Sequence, residues 1–118
     1  MKLKKPTILG VVNITEDSFS DGGLYLNYDK AIEKSLLLVK DGADIIDLGA
    51  ASSNPESKEV KPHEEIIRLN DVIDKLHSQN ISVSVDSFKP EVQKYFLKKN
   101  CPKWAVFFIF ILPNMKLL

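Results

Sequence analysis

Ile8-Leu9-Gly10-Val11-Val12 runs directly into Asn13-Ile14-Thr15-Glu16-Asp17-Ser18-Phe19-Ser20-Asp21-Gly22-Gly23. The first five residues are apolar and nearly continuous, the pattern of a short parallel strand buried on both faces. The strand opens into a loop of carbonyl and hydroxyl oxygens, ended by two glycines that let the backbone turn or approach a ligand closely. In a chain of alternating strands and helices, the C-terminal end of a strand is where ligands bind. By composition alone the same loop reads rather as a turn of Asn, Asp, Ser and Gly that merely reverses the chain.

Outward from this stretch, strand and helix alternate. Residues 28–40 place Ile32, Leu36 and Val39 in one row and Ala31 and Leu38 beside it, predicting an amphipathic helix with Asn27 or Asp29 as its cap and Gly42 at its close. Residues 44–48 read as a second buried strand. Pro62 suits the first turn of a second helix, with Glu64 and Glu65 near its positive end and Ile66, Leu69, Ile73 and Leu76 facing inward. Residues 81–85 form a third strand, and Pro90 opens a third helix that buries Val92, Tyr95 and Phe96. Three such repeats imply an α/β protein with parallel strands and right-handed crossovers. Periodicity leaves open whether the sheet is doubly wound or closed into a barrel.

The chain has 118 residues, enough for one small domain. Its sixteen basic residues balance sixteen acidic ones, which argues against a partner of nucleic acid or membrane surface and for small neutral ligands or a protein partner. Cys101 is the only cysteine, so there is no disulfide framework or cysteine metal site, as fits a reducing cytoplasm. The basic start, Met1 to Pro6, precedes an apolar run too short for a signal peptide. The longest apolar run, residues 104–112, falls well short of the roughly twenty residues of a membrane helix. His63 and His77 lie on the second helix and read as solvated residues away from the loop end.

The order Asn-hydrophobic-Thr-x-Asp-Ser-Phe-Ser-Asp-Gly-Gly closely resembles the first loop of dihydropteroate synthases. Two further blocks resemble that family's second and third strand-loop units: Asp44-Ile45-Ile46-Asp47-Leu48-Gly49-Ala50-Ala51-Ser52-Ser53-Asn54-Pro55 and Ser82-Val83-Ser84-Val85-Asp86-Ser87-Phe88-Lys89-Pro90-Glu91-Val92. The resemblance extends to about Asn100. It implies the N-terminal part, about three βα units, of a TIM (β/α)8 barrel of the pterin-binding type, a fold of about 250 residues when whole. Residues 1–100 would be the partial barrel and residues 101–118 an unmatched tail.

The family joins p-aminobenzoate to the methylene carbon of 6-hydroxymethyl-7,8-dihydropterin pyrophosphate and releases pyrophosphate. The departing group gathers negative charge, so the resemblance implies Mg2+, a hard cation that keeps waters and substrate phosphates about it. Asn13 matches the family's metal-linked asparagine. Asp86 matches the aspartate that accepts hydrogen bonds from the pterin ring, and Ser53 stands at a threonine that touches the pterin pyrophosphate. Phe19, with Asp17 and Ser18 in the first loop, either walls the p-aminobenzoate pocket or anchors the loop by its ring. The second loop departs from the usual pattern, with Ala50-Ala51 for glycine-glutamate and Asn54 for arginine. In this, and in Phe88-Lys89-Pro90, it looks like the mobile-element branch that confers sulfonamide resistance. The intact family is homodimeric.

After Glu91 no acidic residue occurs, and the tail holds the only tryptophan and half of the six phenylalanines. Residues 106–112 are rich in β-formers and suit a fourth strand, but the change of composition reads rather as a shifted reading frame. The expectation is then a chain inactive by itself, lacking the family's later pterin- and pyrophosphate-binding residues and leaving both sheet edges unpaired. Two other readings stand beside it: a non-catalytic fragment that self-associates, and the pterin-binding domain of a corrinoid-linked methyltransferase.

Overall fold

Every strand pairing in the sheet is parallel. The computed structural model describes residues 5–14, 23–50, 59–99, 104–107 and 115–117, the backbone alone for 23–26, 104–107 and 115–117. The elements are β1 (Thr7–Asn13), α1 (Gly23–Lys40), β2 (Ile45–Gly49), α2 (Pro62–Ser78), β3 (Ser82–Asp86), α3 (Pro90–Lys98), β4 (Trp104–Phe107) and β5 (Met115–Leu117). β1 to β4 lie side by side in chain order, and α1 packs on α2 as α2 packs on α3. A doubly wound sheet would carry helices on both faces. Strands advancing one place per helix, under a single helix layer, are the arrangement of a βα barrel.

The period of two along each strand separates the faces. Val12, Ile46, Leu48, Val83 and Val85 point into a core shared with Ala31 and Ile32 of α1, Leu69, Val72, Ile73 and Leu76 of α2, and Val92 and Phe96 of α3. Burying an aliphatic or aromatic side chain of this size contributes about 1.5–3 kcal/mol relative to leaving it exposed. Gly10 lies on this face, where a Cβ would come within 3.1 Å of Leu38 Cβ and Ala43 Cβ and 3.2 Å of Ile46 Cδ1. Its bare backbone is what lets α1 sit down on β1.

The helix ends follow local rules. Gly42, at φ +113°, closes α1 while Ala43 N–H donates to Leu38 O at 2.9 Å. Asn80 takes the left-handed position after α2, at φ 63°, with Ile81 N–H donating to Leu76 O at 3.0 Å. Pro62 and Pro90 each open a helix.

Several expectations are corrected. α1 begins at Gly23, so Asn27 and Asp29 lie within it and cap nothing. Leu36 is 39% exposed, and the inward place beside Ala31 and Ile32 is taken by Ser35, whose hydroxyl is satisfied by Ala31 O one turn back at 2.7 Å. Tyr95 is also 39% exposed, resting edge-on against Phe96 while Gln93 is buried instead. The outer edges of β1 and β3 are not open: β5 pairs with the first, Thr7 opposite Met115, and β4 with the second, Val83 opposite Trp104.

Gly10→Ala is expected to destabilise the chain by about 1–3 kcal/mol, the usual cost of overpacking. A urea titration followed by far-UV circular dichroism checks this; an unchanged midpoint would mean that α1 does not rest on β1 this closely.

Candidate pterin and metal site

Across β1, β2 and β3 the register aligns Asn13 with Gly49 and Gly49 with Asp86, so the three close one row at the C-terminal ends of adjacent strands. A Cβ on Gly49 would lie 2.9 Å from Asn13 Oδ1 and 3.8 Å from Asp86 Cβ. The carboxamide and the carboxylate therefore flank the glycine on the face away from the helices, and both residues are exposed. Two strand spacings, about 9.5 Å, separate their backbones. The glycine leaves a shallow floor between an oxygen donor suited to a hard cation and a carboxylate suited to a hydrogen-bonding ring.

One row deeper on the same face, Val11, Asp47 and Ser84 are in register. Ser84 is buried and its hydroxyl donates to Asp47 Oδ1 at 2.5 Å. Burial raises the Asp47 pKa above the ordinary 3.8; the Ser84 hydrogen bond opposes the shift and the charge of Asp86 adds to it. Asp47 thus lies beneath the site as a polar support. Asp44 is structural too: its Oδ2 accepts from Ile8 N–H at 2.8 Å at the opposite end of the sheet.

Asp17, Ser18, Phe19 and Ser53 lie outside the described residues. Of the residues singled out from sequence, the structure brings together Asn13 and Asp86. His63 is exposed, but as the second residue of α2 it stands at the loop end of the fold and not away from it; His77 lies at the other end. Among the described residues no cluster of three or more His, Cys, Asp or Glu forms a metal cage. A cleft of about 630 Å³ between α1 and α2 is lined by Tyr28, Ile67, Arg68 and Asp71 among others and contains neither Asn13 nor Asp86.

Sequence reasoning passed over the groups that hold this end together. Arg68 Nη1 donates to Ala50 O at 3.1 Å, where β2 gives way to its loop. Glu65, in the first turn of α2 as expected, is 1% exposed and lies 2.8 Å from the ammonium of Lys89, which is itself buried. The signal was present: Glu65 falls one turn before Leu69 and two before Val72, on the apolar stripe of α2.

A family model described as "Pterin binding enzyme" matches residues 9–104. The chain belongs to the pterin-binding enzyme family. It is 64% identical over 92 residues to dihydropteroate synthase type-3 of Escherichia coli, covering 78% of this chain and 35% of the relative. A solved dihydropteroate synthase from Clostridium difficile, crystallised in the presence of pteroic acid, superposes with a TM-score of 0.75 at 43% identity over 82% of this chain and 37% of that one. The Xanthomonas albilineans enzyme with 4-aminobenzoic acid gives 0.73 at 38% identity over 86% and 38%. The chain thus spans about a third of the length of the relatives it matches. Its parallel strands and single helix layer are the N-terminal part of a pterin-binding (β/α)8 barrel. Among the described residues no helix is long and apolar enough to cross a membrane.

Because the Asp47 pKa is raised on folding, the folded chain holds a proton that the unfolded chain has released between 3.8 and the higher folded value. Stability therefore falls as pH rises through that window, and the penalty is complete above it. Asp47→Asn keeps an acceptor for Ser84 and removes the penalty. It is expected to be more stable than the parent at neutral pH and to converge with it below pH 3.8 in urea melts; a constant offset at all pH values would contradict the assignment.

Proposed function

We propose that this chain supplies the metal side and the pterin side of a dihydropteroate synthase site. The observation that carries this reading is the row Asn13, Gly49, Asp86 on a chain of the pterin-binding family. Asp86 accepts the N–H donors of the pterin edge, and its charge strengthens those bonds. Asn13 offers one neutral oxygen, which fits Mg2+ held chiefly by waters and substrate phosphate oxygens. Bound there, Mg2+ would neutralise charge developing on the pyrophosphate. Gly49 keeps the floor open so that the carboxamide can take its place.

In the reaction, the amine nitrogen of p-aminobenzoate bonds to the pterin methylene carbon, the carbon-oxygen bond breaks, pyrophosphate departs with its electron pair, and the amine loses a proton. Asp86 contributes by fixing the ring so that the methylene carbon meets the amine. By the resemblance of the second loop, Ser53 would touch the pterin pyrophosphate, and by that of the first, Asp17, Ser18 and Phe19 would border p-aminobenzoate. Turnover belongs to a whole barrel in the cytoplasm, as a homodimer. The sulfonamide-insensitive branch is supported by Ala50-Ala51-Ser52-Ser53-Asn54 and by the 64% identity with the type-3 enzyme.

Calorimetric titration of the chain with dihydropterin pyrophosphate and Mg2+ tests the reading. Binding is expected, with Asp86→Asn weakening it about ten- to a hundredfold, the worth of one or two hydrogen bonds to a charged group. Methyltetrahydrofolate binding in place of the pyrophosphate ester would transfer the chain to the corrinoid-linked methyltransferases. A chain that binds neither and runs as an oligomer in light scattering would favour a non-catalytic, self-associating fragment.

Gly49→Ala offers a separate check. The new methyl meets only the far end of the Asn13 side chain closely, so stability should change by less than about 1 kcal/mol. The Mg2+-dependent part of the affinity should be lost while the metal-free part remains; unaltered Mg2+ dependence would remove Asn13 from the metal site.

A further inference from the structure

Directly after Asp86 the chain passes through Ser87, Phe88 and Lys89 into α3, and this short loop is tied down from below. Ser87 Oγ donates to Glu65 Oε1 at 3.1 Å and accepts from Lys89 N–H at 3.3 Å, while Gln93 Nε2 donates to Ser87 O at 2.6 Å. Lys89 Nζ lies 2.8 Å from Glu65 Oε2 and also donates to Val60 O. Val60 is where the second loop returns to α2, and the start of that loop, Ala50 O, is held by Arg68. One buried ammonium therefore joins three pieces of chain: the loop after β3, the return of the loop after β2, and the first turn of α2.

Burying two charges is costly, and a buried ion pair is often matched or exceeded in stability by apolar side chains of similar volume. Glu65 is 1% exposed and sits on the apolar stripe of α2, where a leucine would pack without a desolvation penalty. What an apolar pair would not supply is direction: Lys89 reaches Val60 O and Glu65 at once, and Glu65 reaches Ser87.

We infer that Glu65 and Lys89 are positioning residues that hold the loop after β3 in one fixed relation to residues 59–61 and the first turn of α2, and so fix Asp86 for the pterin ring. Neither touches the ligand. The inference rests on the pterin reading above for its consequence, but not for its geometry.

The test compares the parent chain, the volume-matched Glu65→Leu/Lys89→Met double variant and Lys89→Arg. Each is titrated with dihydropterin pyrophosphate and Mg2+, with urea midpoints and amide exchange read alongside. The double variant is expected to fold, to keep protection in β3 and α2, and to lose it at Ser87 and Lys89 and at residues 59–61 together. Its Kd should rise by about tenfold or more, as for a site whose supporting contacts are loosened, and Lys89→Arg should recover most of the affinity. A folded double variant with the parent's Kd and exchange pattern would overturn the inference, whatever its urea midpoint. If that variant does not fold, exchange in the parent decides: Ser87 and Lys89 amides as slow as those of β3 uphold the clamp, and rates of an exposed loop overturn it. Absence of binding in all three, with the expected exchange changes, would overturn the pterin reading and leave the clamp standing.

Discussion

The register of three parallel strands is the constraint on which the site depends. Because side chains alternate along a strand, a slip of one residue would send Asn13 or Asp86 into the helix layer and bring Val12 or Val85 to the face away from the helices. The register is held by the core on the other face, where Val12, Ile46, Leu48, Val83 and Val85 meet α1, α2 and α3. The apolar contacts that stabilise the fold thus also set the distance between a carboxamide and a carboxylate that never touch each other.

Glycine serves this arrangement in two opposite places. Gly10 faces the helices and admits α1; Gly49 lies on the opposite face and makes room for Asn13. Both are strand residues, where a glycine weakens a sheet unless close approach requires it. Below the site, the buried polar groups follow the same division. Asp47 and Ser84 satisfy each other under the row, and Glu65, Lys89, Ser87 and Gln93 brace the loop that leaves it.

The order of elements was legible because it rests on local signals: apolar runs of five, stripes at helical spacing, Pro62 and Pro90 at helix starts, Gly42 at a helix end. Asn13 and Asp86 were legible as strand-ending polar residues within long motifs. Leu36 and Tyr95 were misread because an apolar row on a helix is wider than the face a neighbour covers, and which edge of it is covered depends on where α2 and α3 lie. Glu65 stands in the first turn of α2 as its sequence position implied, but its burial was not legible, because only the approach of Lys89, 24 positions later in the chain, makes it tolerable.

By itself the sequence determined the three strand-helix units, the polar residues Asn13 and Asp86 at strand ends, and the family resemblance. These are encoded by residues near one another along the chain. Only the tertiary structure decided that β5 lies beside β1 while β1 to β4 advance in chain order, that Gly49 stands between Asn13 and Asp86, and that a buried ion pair joins the loop after β3 to the start of α2. Each of these depends on which distant backbones come to lie side by side, and propensity and spacing carry no record of that.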